Sequence, residues 1–171
     1  MELIKIKIEL QKNADLKKVA DLIASINIAL LTTVNEDNAL VMRPMSPLQM
    51  DSNGGIWFFT SLHSVKIKQL HRANLSFSSE QDSTYVSLSG HGEIHNDRQK
   101  INDLWTPFAR PWFPDGPESP DLVLLLFAPD TAEFWDGPNN KMLRMFNIAT
   151  SIVASKPIGL GEHDLFTHLS K

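Results

Sequence analysis

Apolar and polar positions alternate from the start of the chain. Leu3, Ile4, Ile6, Ile8 and Leu10 interleave with Lys5, Lys7 and Glu9, the pattern of an edge strand or a frayed arm. The period then lengthens. Leu16, Val19, Ala20 and Ile23 fall at i, i+3, i+4 and i+7, which predicts a helix that Asn13 or Asp15 could cap. From Ile28 it shortens again. Ile28 to Val34 is rich in β-formers, and Asn35-Glu36-Asp37-Asn38 supplies a turn before a second strand from Ala39 to Met50. Pro44 and Pro47 interrupt that strand, so it is expected at an edge or with a bulge, because proline cannot donate to a ladder. Asp51-Ser52-Asn53-Gly54-Gly55 is a hairpin turn leading into a third strand, Ile56 to Thr60.

Further on, Ser64 is placed to cap a short helix over Val65 to Ala73. Leu75-Ser76-Phe77 and Tyr85 to Ile94 are two more strands, and Asp97 to Trp105 a helix. A Pro/Trp loop runs to about Pro120, and a strand from Leu122 to Ala128 resumes after a bulge at Pro129 as Ala132 to Trp135. Met142, Met145, Phe146, Ala149, Ile152 and Val153 share one face of a last helix, which Pro157 stops. Six or so short strands with few helices argue for an antiparallel barrel or sandwich. No repeat, low-complexity tract or linker divides the chain, so residues 1–171 form one domain with a core of about 14–155 and a tail of 156–171.

Composition narrows the function classes. A chain of 171 residues, 42% hydrophobic, needs no disulfide or metal staple, since its size buries roughly 70% of its unfolded surface. It has no cysteine, which excludes thiol catalysis and thiolate metal sites. Sixteen Lys and Arg against twenty Asp and Glu give a net charge of −4, which argues against nucleic acid as a partner. The longest apolar run, Leu122 to Ala128, falls well short of the ~20 residues a membrane span needs. A soluble cytoplasmic domain with no membrane partner is the expectation.

One cluster carries chemistry. Val41, Arg43 and Met45 share a strand face, so Arg43 points with apolar neighbours, a costly place for a charge without an anionic partner. The next strand ends in Thr60-Ser61, beside the expected helix start at Ser64, and Lys66 falls in its first turn, where the helix dipole is already positive. Hydroxyls, free backbone N–H groups, Lys66 and Arg43 make sense together around a phosphate. The plainer alternative is a solvated Lys66 and an Arg43 paired with a local carboxylate such as Asp51.

The order Ala29-Leu-Leu-Thr-Thr-Val34, Arg43-Pro44-Met45, Ile56-Trp-Phe-Phe-Thr-Ser61, Ser64-Val-Lys66, Tyr85-Val-Ser-Leu-Ser-Gly90 and Trp112-Phe-Pro-Asp-Gly116 resembles the pyridoxamine 5′-phosphate oxidase-like split-barrel flavoproteins, above all their general stress protein branch. Glu133-Phe-Trp-Asp136 resembles that branch too. The resemblance implies a six-stranded antiparallel split β-barrel that dimerises with itself and holds FMN, or FAD, in a groove between the two chains. It implies that Arg43, with Pro44 and Met45, lies near the flavin and its phosphate, that Thr60 and Ser61 are the hydroxyl pair after the aromatic strand, and that Ser64 and Lys66 hold the phosphate. True pyridoxamine phosphate oxidases also carry an Arg-x-His pair near the C-terminus. Here no arginine follows Arg144, which speaks against a vitamin B6 oxidase.

Other features weigh less. His91 and His95 share a strand face but sit roughly 13 Å apart, too far to chelate one metal ion. The segment Trp105 to Phe113 either plugs the barrel or the dimer seam, or walls a flavin with Trp112 or Phe113. No Ser-His-Asp set, glycine-rich phosphate loop or catalytic carboxylate pair stands out. Two functions follow: an FMN-dependent oxidoreductase acting on a small molecule, or a non-catalytic flavin-binding stress protein that stores or senses the cofactor. Exchange of flavin for a haem or deazaflavin on the same fold is a third possibility.

Overall fold

The computed structural model describes residues 5–137, 162–167 and 169. The helix expected over 142–153 lies outside them. β1 (Lys7–Ile8) and α1 (Ala14–Ile23) come first, with Asn13 accepting a hydrogen bond from the Leu16 N–H as N-cap. β2 (Ala29–Val34), β3 (Leu40–Met45), β4 (Gln49–Met50) and β5 (Ile56–Ser61) follow. After a 3₁₀ turn over Val65–Gln69 come β6 (Ala73–Ser79), β7 (Thr84–His95), α2 (Arg98–Leu104), β8 (Leu122–Asp136) and β9 (Glu162–Thr167).

These strands form one nine-stranded sheet in the order β1-β4-β5-β8-β7-β6-β2-β3, with β9 added beside β8. The six expected strands are β2, β3, β5, β6, β7 and β8. β1 falls in the segment expected as an edge strand or a frayed arm, and β9 is an addition, lying in the expected tail. β4 is the far end of the strand expected over residues 39–50, cut from β3 at Ser46-Pro47-Leu48. β3 ends the sheet on one side, pairing only with β2 among the described residues, whereas β4 pairs with β5 and, in parallel, with β1 near the other end. Four residue steps from Met45 to Gln49 reach at most about 14 Å. The two ends of the strand order therefore come together, and the sheet curls into a barrel left split between β3 and β4.

Alternation sets the core. β2 buries Ala29, Leu31 and Thr33, β7 buries Val86 and Leu88, and β8 buries Leu125, Phe127, Ala132 and Phe134. α1 closes this core with Leu16, Val19, Ala20 and Ile23. A second cluster joins Leu48 and Trp57 to Ile101 and Leu104 of α2, with Phe59, Trp105 and Phe113 packed against it. The β4–β5 turn is built on Asp51, whose carboxylate accepts from the N–H groups of Asn53 and Gly55 and from the Trp57 indole at 2.8 Å, while Gly54 takes a φ of +85°. The bulge expected at Pro129 is present as a register shift opposite Ser89 and Gly90. There a Cβ on Gly90 would overlap the Ala128 carbonyl oxygen.

Candidate functional site

A cavity of about 550 Å³ opens at the split of the barrel. Pro44, Met45, Ser46 and Leu48 line it from the β3–β4 crossing, and Phe59, Thr60 and Ser61 from the end of β5. Ser64 and Lys66 enter from the 3₁₀ turn, Ile28 from the start of β2, and Thr106, Phe108, Ala109, Trp112 and Phe113 from the loop after α2. The volume falls within the roughly 300–1,000 Å³ of small-ligand sites, and aromatic walls with a few polar groups are their usual chemistry.

Alternation puts Arg43 on the inward face of β3 with Val41 and Met45, while Leu40, Met42 and Pro44 face out. Arg43 does not pair with Asp51, whose carboxylate is taken up by its own turn. Its guanidinium donates instead to the Thr33 hydroxyl at 2.8 Å and to the Gln69 side-chain oxygen at 3.4 Å. It stands behind the cavity wall rather than in it. Lys66 is half-buried in that wall, and burial first, then the neighbouring Arg43 charge, pulls its ammonium below the ordinary lysine pKa of 10.5. Among the described residues no carboxylate lies within ion-pair distance of either cation.

The helix expected to begin at Ser64 is a five-residue 3₁₀ turn, and the Ser64 side chain makes no capping bond. The turn is too short for a helix dipole to matter, so any pull on an anion comes from the two side-chain cations and the hydroxyls. Gly92 of β7 meets its far end, donating to the Leu70 carbonyl at 2.7 Å, and a Cβ there would crowd the Leu70 side chain at 3.0 Å.

Two hydroxyls in the cavity wall lack partners. Thr60, 3% exposed, and Thr106 each hold a buried Oγ1 without a hydrogen bond, two of four such side-chain atoms among the described residues. An unpartnered buried hydroxyl costs about 1–3 kcal/mol, so two of them on one cavity point to a polar ligand. Ser61 Oγ accepts from the His63 N–H at 3.2 Å, and the His63 ring meets Asp121 at 3.0 Å outside the wall.

Seven of the eight sequence-derived candidates thus meet at one cavity: Pro44, Met45, Thr60, Ser61, Ser64, Lys66 and Trp112. The eighth, Arg43, acts from behind. The aromatic segment packs on the second core cluster and also lines the cavity. Trp105 and Phe113 pack on the Phe59 ring at 5.8 and 6.4 Å, and Phe108, Trp112 and Phe113 face the cavity. Sequence reasoning missed Thr106, Thr33 and Gln69. His91 and His95 both approach Glu93, at 3.6 and 3.2 Å, and no group of three or more metal-capable side chains occurs among the described residues.

The family described as pyridoxamine 5′-phosphate oxidase-like matches residues 14–158. The chain belongs to that family. A structure assigned as general stress protein 26 of Jannaschia sp. CCS1 superposes with a TM-score of 0.71 at 27% identity, covering 91% of this chain and 99% of its own. The general stress FMN/FAD binding protein of Xanthomonas citri is 31% identical, with a TM-score of 0.60, over 71% of this chain and 87% of its own. An FMN-binding pyridoxamine 5′-phosphate oxidase-related protein of Nostoc punctiforme, 13% identical, shares the fold with a TM-score of 0.62 over 91% of this chain and 97% of its own. No protein of curated function matches the sequence. The expected split barrel and the resemblance to the general stress branch both hold. No helix among the described residues is long and apolar enough to cross a membrane.

Proposed function

We propose that the cavity binds FMN and that the protein is a flavin-dependent oxidoreductase acting on a small molecule in the cytoplasm. The observation that carries this is one aromatic cavity lined by Lys66 and by two buried hydroxyls without hydrogen bonds, with Arg43 behind its wall, neither cation having a carboxylate partner among the described residues. Lys66 would hold the phosphate with Ser64, Arg43 would add charge from behind, and Thr60 and Thr106 would donate to the ligand's polar atoms. Phe108, Trp112 and Phe113 give a flat aromatic ring its walls. Bound flavin would supply hydride and electron transfer, and the chain would supply position, charge and exclusion of water. The FMN/FAD binding of the Xanthomonas relative supports the same assignment, and the Arg43–Lys66 charge favours a ligand that ends in phosphate.

A homodimer is part of the proposal. Leu40 and Met42 on the outer face of edge strand β3, and Leu62, Val65 and Trp112 around the cavity, are 49–75% exposed, an apolar surface that a second copy would cover. The vitamin B6 oxidase reaction is not proposed, since the Arg-x-His pair it requires has no counterpart after Arg144. That absence also favours, as a second reading, a flavin-storing or flavin-sensing stress protein. The visible spectrum of protein purified without added cofactor, taken across a gel-filtration peak, tests the assignment. Flavin bands in a peak of dimer size are expected. A colourless peak that does not quench FMN fluorescence would overturn it. Steady oxidation of NAD(P)H with a quinone or oxygen separates the enzyme from the storage protein.

A further inference from the structure

Arg43 beside the cavity is held without a carboxylate among the described residues. An inward-facing arginine most often meets a carboxylate, because a charge taken out of water needs a partner that cancels it. Here the partners among the described residues are neutral. The Thr33 hydroxyl, 1% exposed, accepts from the guanidinium at 2.8 Å, and the Gln69 side-chain oxygen accepts from it at 3.4 Å. Thr33 in turn donates to the same Gln69 oxygen at 3.3 Å, which closes a triangle across β2, β3 and the 3₁₀ turn. Two donors converging on that atom fix the amide with its oxygen inward.

We infer that Gln69 is the positioning residue that sets the anion selectivity of the cavity: its neutral amide holds the Arg43 guanidinium in place while leaving its charge uncancelled, so that Arg43 and Lys66 together select a phosphate-bearing ligand.

Three observations carry this. Gln69 is 7% exposed and its oxygen serves two donors, so it is tethered rather than solvated. In a 3₁₀ turn, residues three apart eclipse, which stacks Gln69 and cavity-lining Lys66 on one side of Val65–Gln69. And the Arg43 charge is felt at Lys66, where it adds to the effect of burial. A glutamate at position 69 has nearly the same shape and would form an ion pair with Arg43. The fold would tolerate it, but the field at the cavity would fall by about one unit of charge.

The inference rests on the assignment of the cavity to a phosphorylated ligand, and the test separates the two. Gln69→Glu and Gln69→Met are compared with the unaltered full-length protein for FMN and riboflavin binding, for melting temperature, and for the titration of Lys66 followed by NMR after reductive ¹³C-methylation. Gln69→Glu is expected to melt no lower than the unaltered protein yet to lose FMN affinity by about tenfold or more. Its riboflavin affinity should be unchanged, and Lys66 should titrate at a higher pH. Gln69→Met, similar in length but uncharged, should lose clearly less. Retention of FMN by Gln69→Glu within about twofold of the unaltered protein would overturn the inference, as would a loss in Gln69→Met equal to that in Gln69→Glu. If the unaltered protein binds no FMN, the cofactor assignment fails and the Lys66 titration of the ligand-free protein decides alone. A rise in Gln69→Glu supports the charge-sparing role, and an unmoved Lys66 overturns it.

Discussion

Two lysines show how differently this chain treats positive charge in two regions. Lys18 of α1 reaches Glu162 of β9 at 2.8 Å and Asp136 of β8 at 3.7 Å, and the hydrogen bond to Glu162 is the main reason its pKa is raised. Lys66, at the split of the barrel, has no carboxylate partner among the described residues and is pushed the other way by burial and by Arg43. Arg98 is spent on the fold as well, but on neutral groups: its guanidinium donates to the carbonyls of Pro117, Ser119 and Leu122 and anchors the far leg of the aromatic loop. Where a cation serves the fold, the chain supplies what satisfies it. At the cavity Lys66 has no such partner among the described residues, and under the proposed assignment a bound phosphate would supply one.

The largest effect that would break this contrast is Arg43→Ala. It removes a charge without a carboxylate partner among the described residues, together with the hydrogen bonds that tie the Lys66 turn through Gln69. FMN affinity is expected to fall roughly a hundredfold, measured by fluorescence quenching. Lys66→Met comes next, at about tenfold, but the ligand-free variant should melt no lower than the unaltered protein because the ammonium it loses is unfavourable. The pH dependence has a definite sign. A lysine with a depressed folded pKa loses its proton before its unfolded counterpart does, so ligand-free stability contributed by Lys66 rises with pH between that depressed value and 10.5. FMN affinity should fall across the same window. In Lys66→Met both slopes should flatten, which chemical denaturation and titration at several alkaline pH values would show.

Thr60→Val is smaller. Its hydroxyl has no partner among the described residues, so stability of the ligand-free protein should hold or rise slightly while FMN binding weakens by about threefold to tenfold. Lys18→Met should do least, lowering stability by no more than about 1 kcal/mol and leaving FMN affinity unchanged, because the pair is largely solvated. Its contribution has the opposite pH sense to that of Lys66. With a raised folded pKa, it is fully present below 10.5 and is lost only as pH climbs through the higher folded value.

Local patterns carried much of this into the sequence. The period of Leu16 to Ile23 and the cap at Asn13 mark α1, and the Asp51–Gly55 turn fixes the hairpin. Alternation around Arg43 places it inward without any knowledge of the fold. The segment after Ser64 was less legible, because the difference between a helix and a 3₁₀ turn is decided by packing of Leu70 against Gly92 of a distant strand. Gln69 and Thr33 were invisible for a stronger reason. Each is an ordinary polar residue in an ordinary pattern, and only the meeting of three elements gives them a common partner. The break at Ser46-Pro47-Leu48 was readable as a proline interruption. That it joins the two ends of the sheet, and so makes the cavity, depended on long-range order.

The proposed function requires that the cavity recognise the phosphate of a flavin. The most direct measurement is the affinity of the purified protein for FMN and for riboflavin, which differ by that phosphate alone. FMN should bind about a hundredfold tighter, and the margin should collapse in Arg43→Ala. Equal affinities for the two ligands, or a margin that survives the loss of Arg43, would contradict the account.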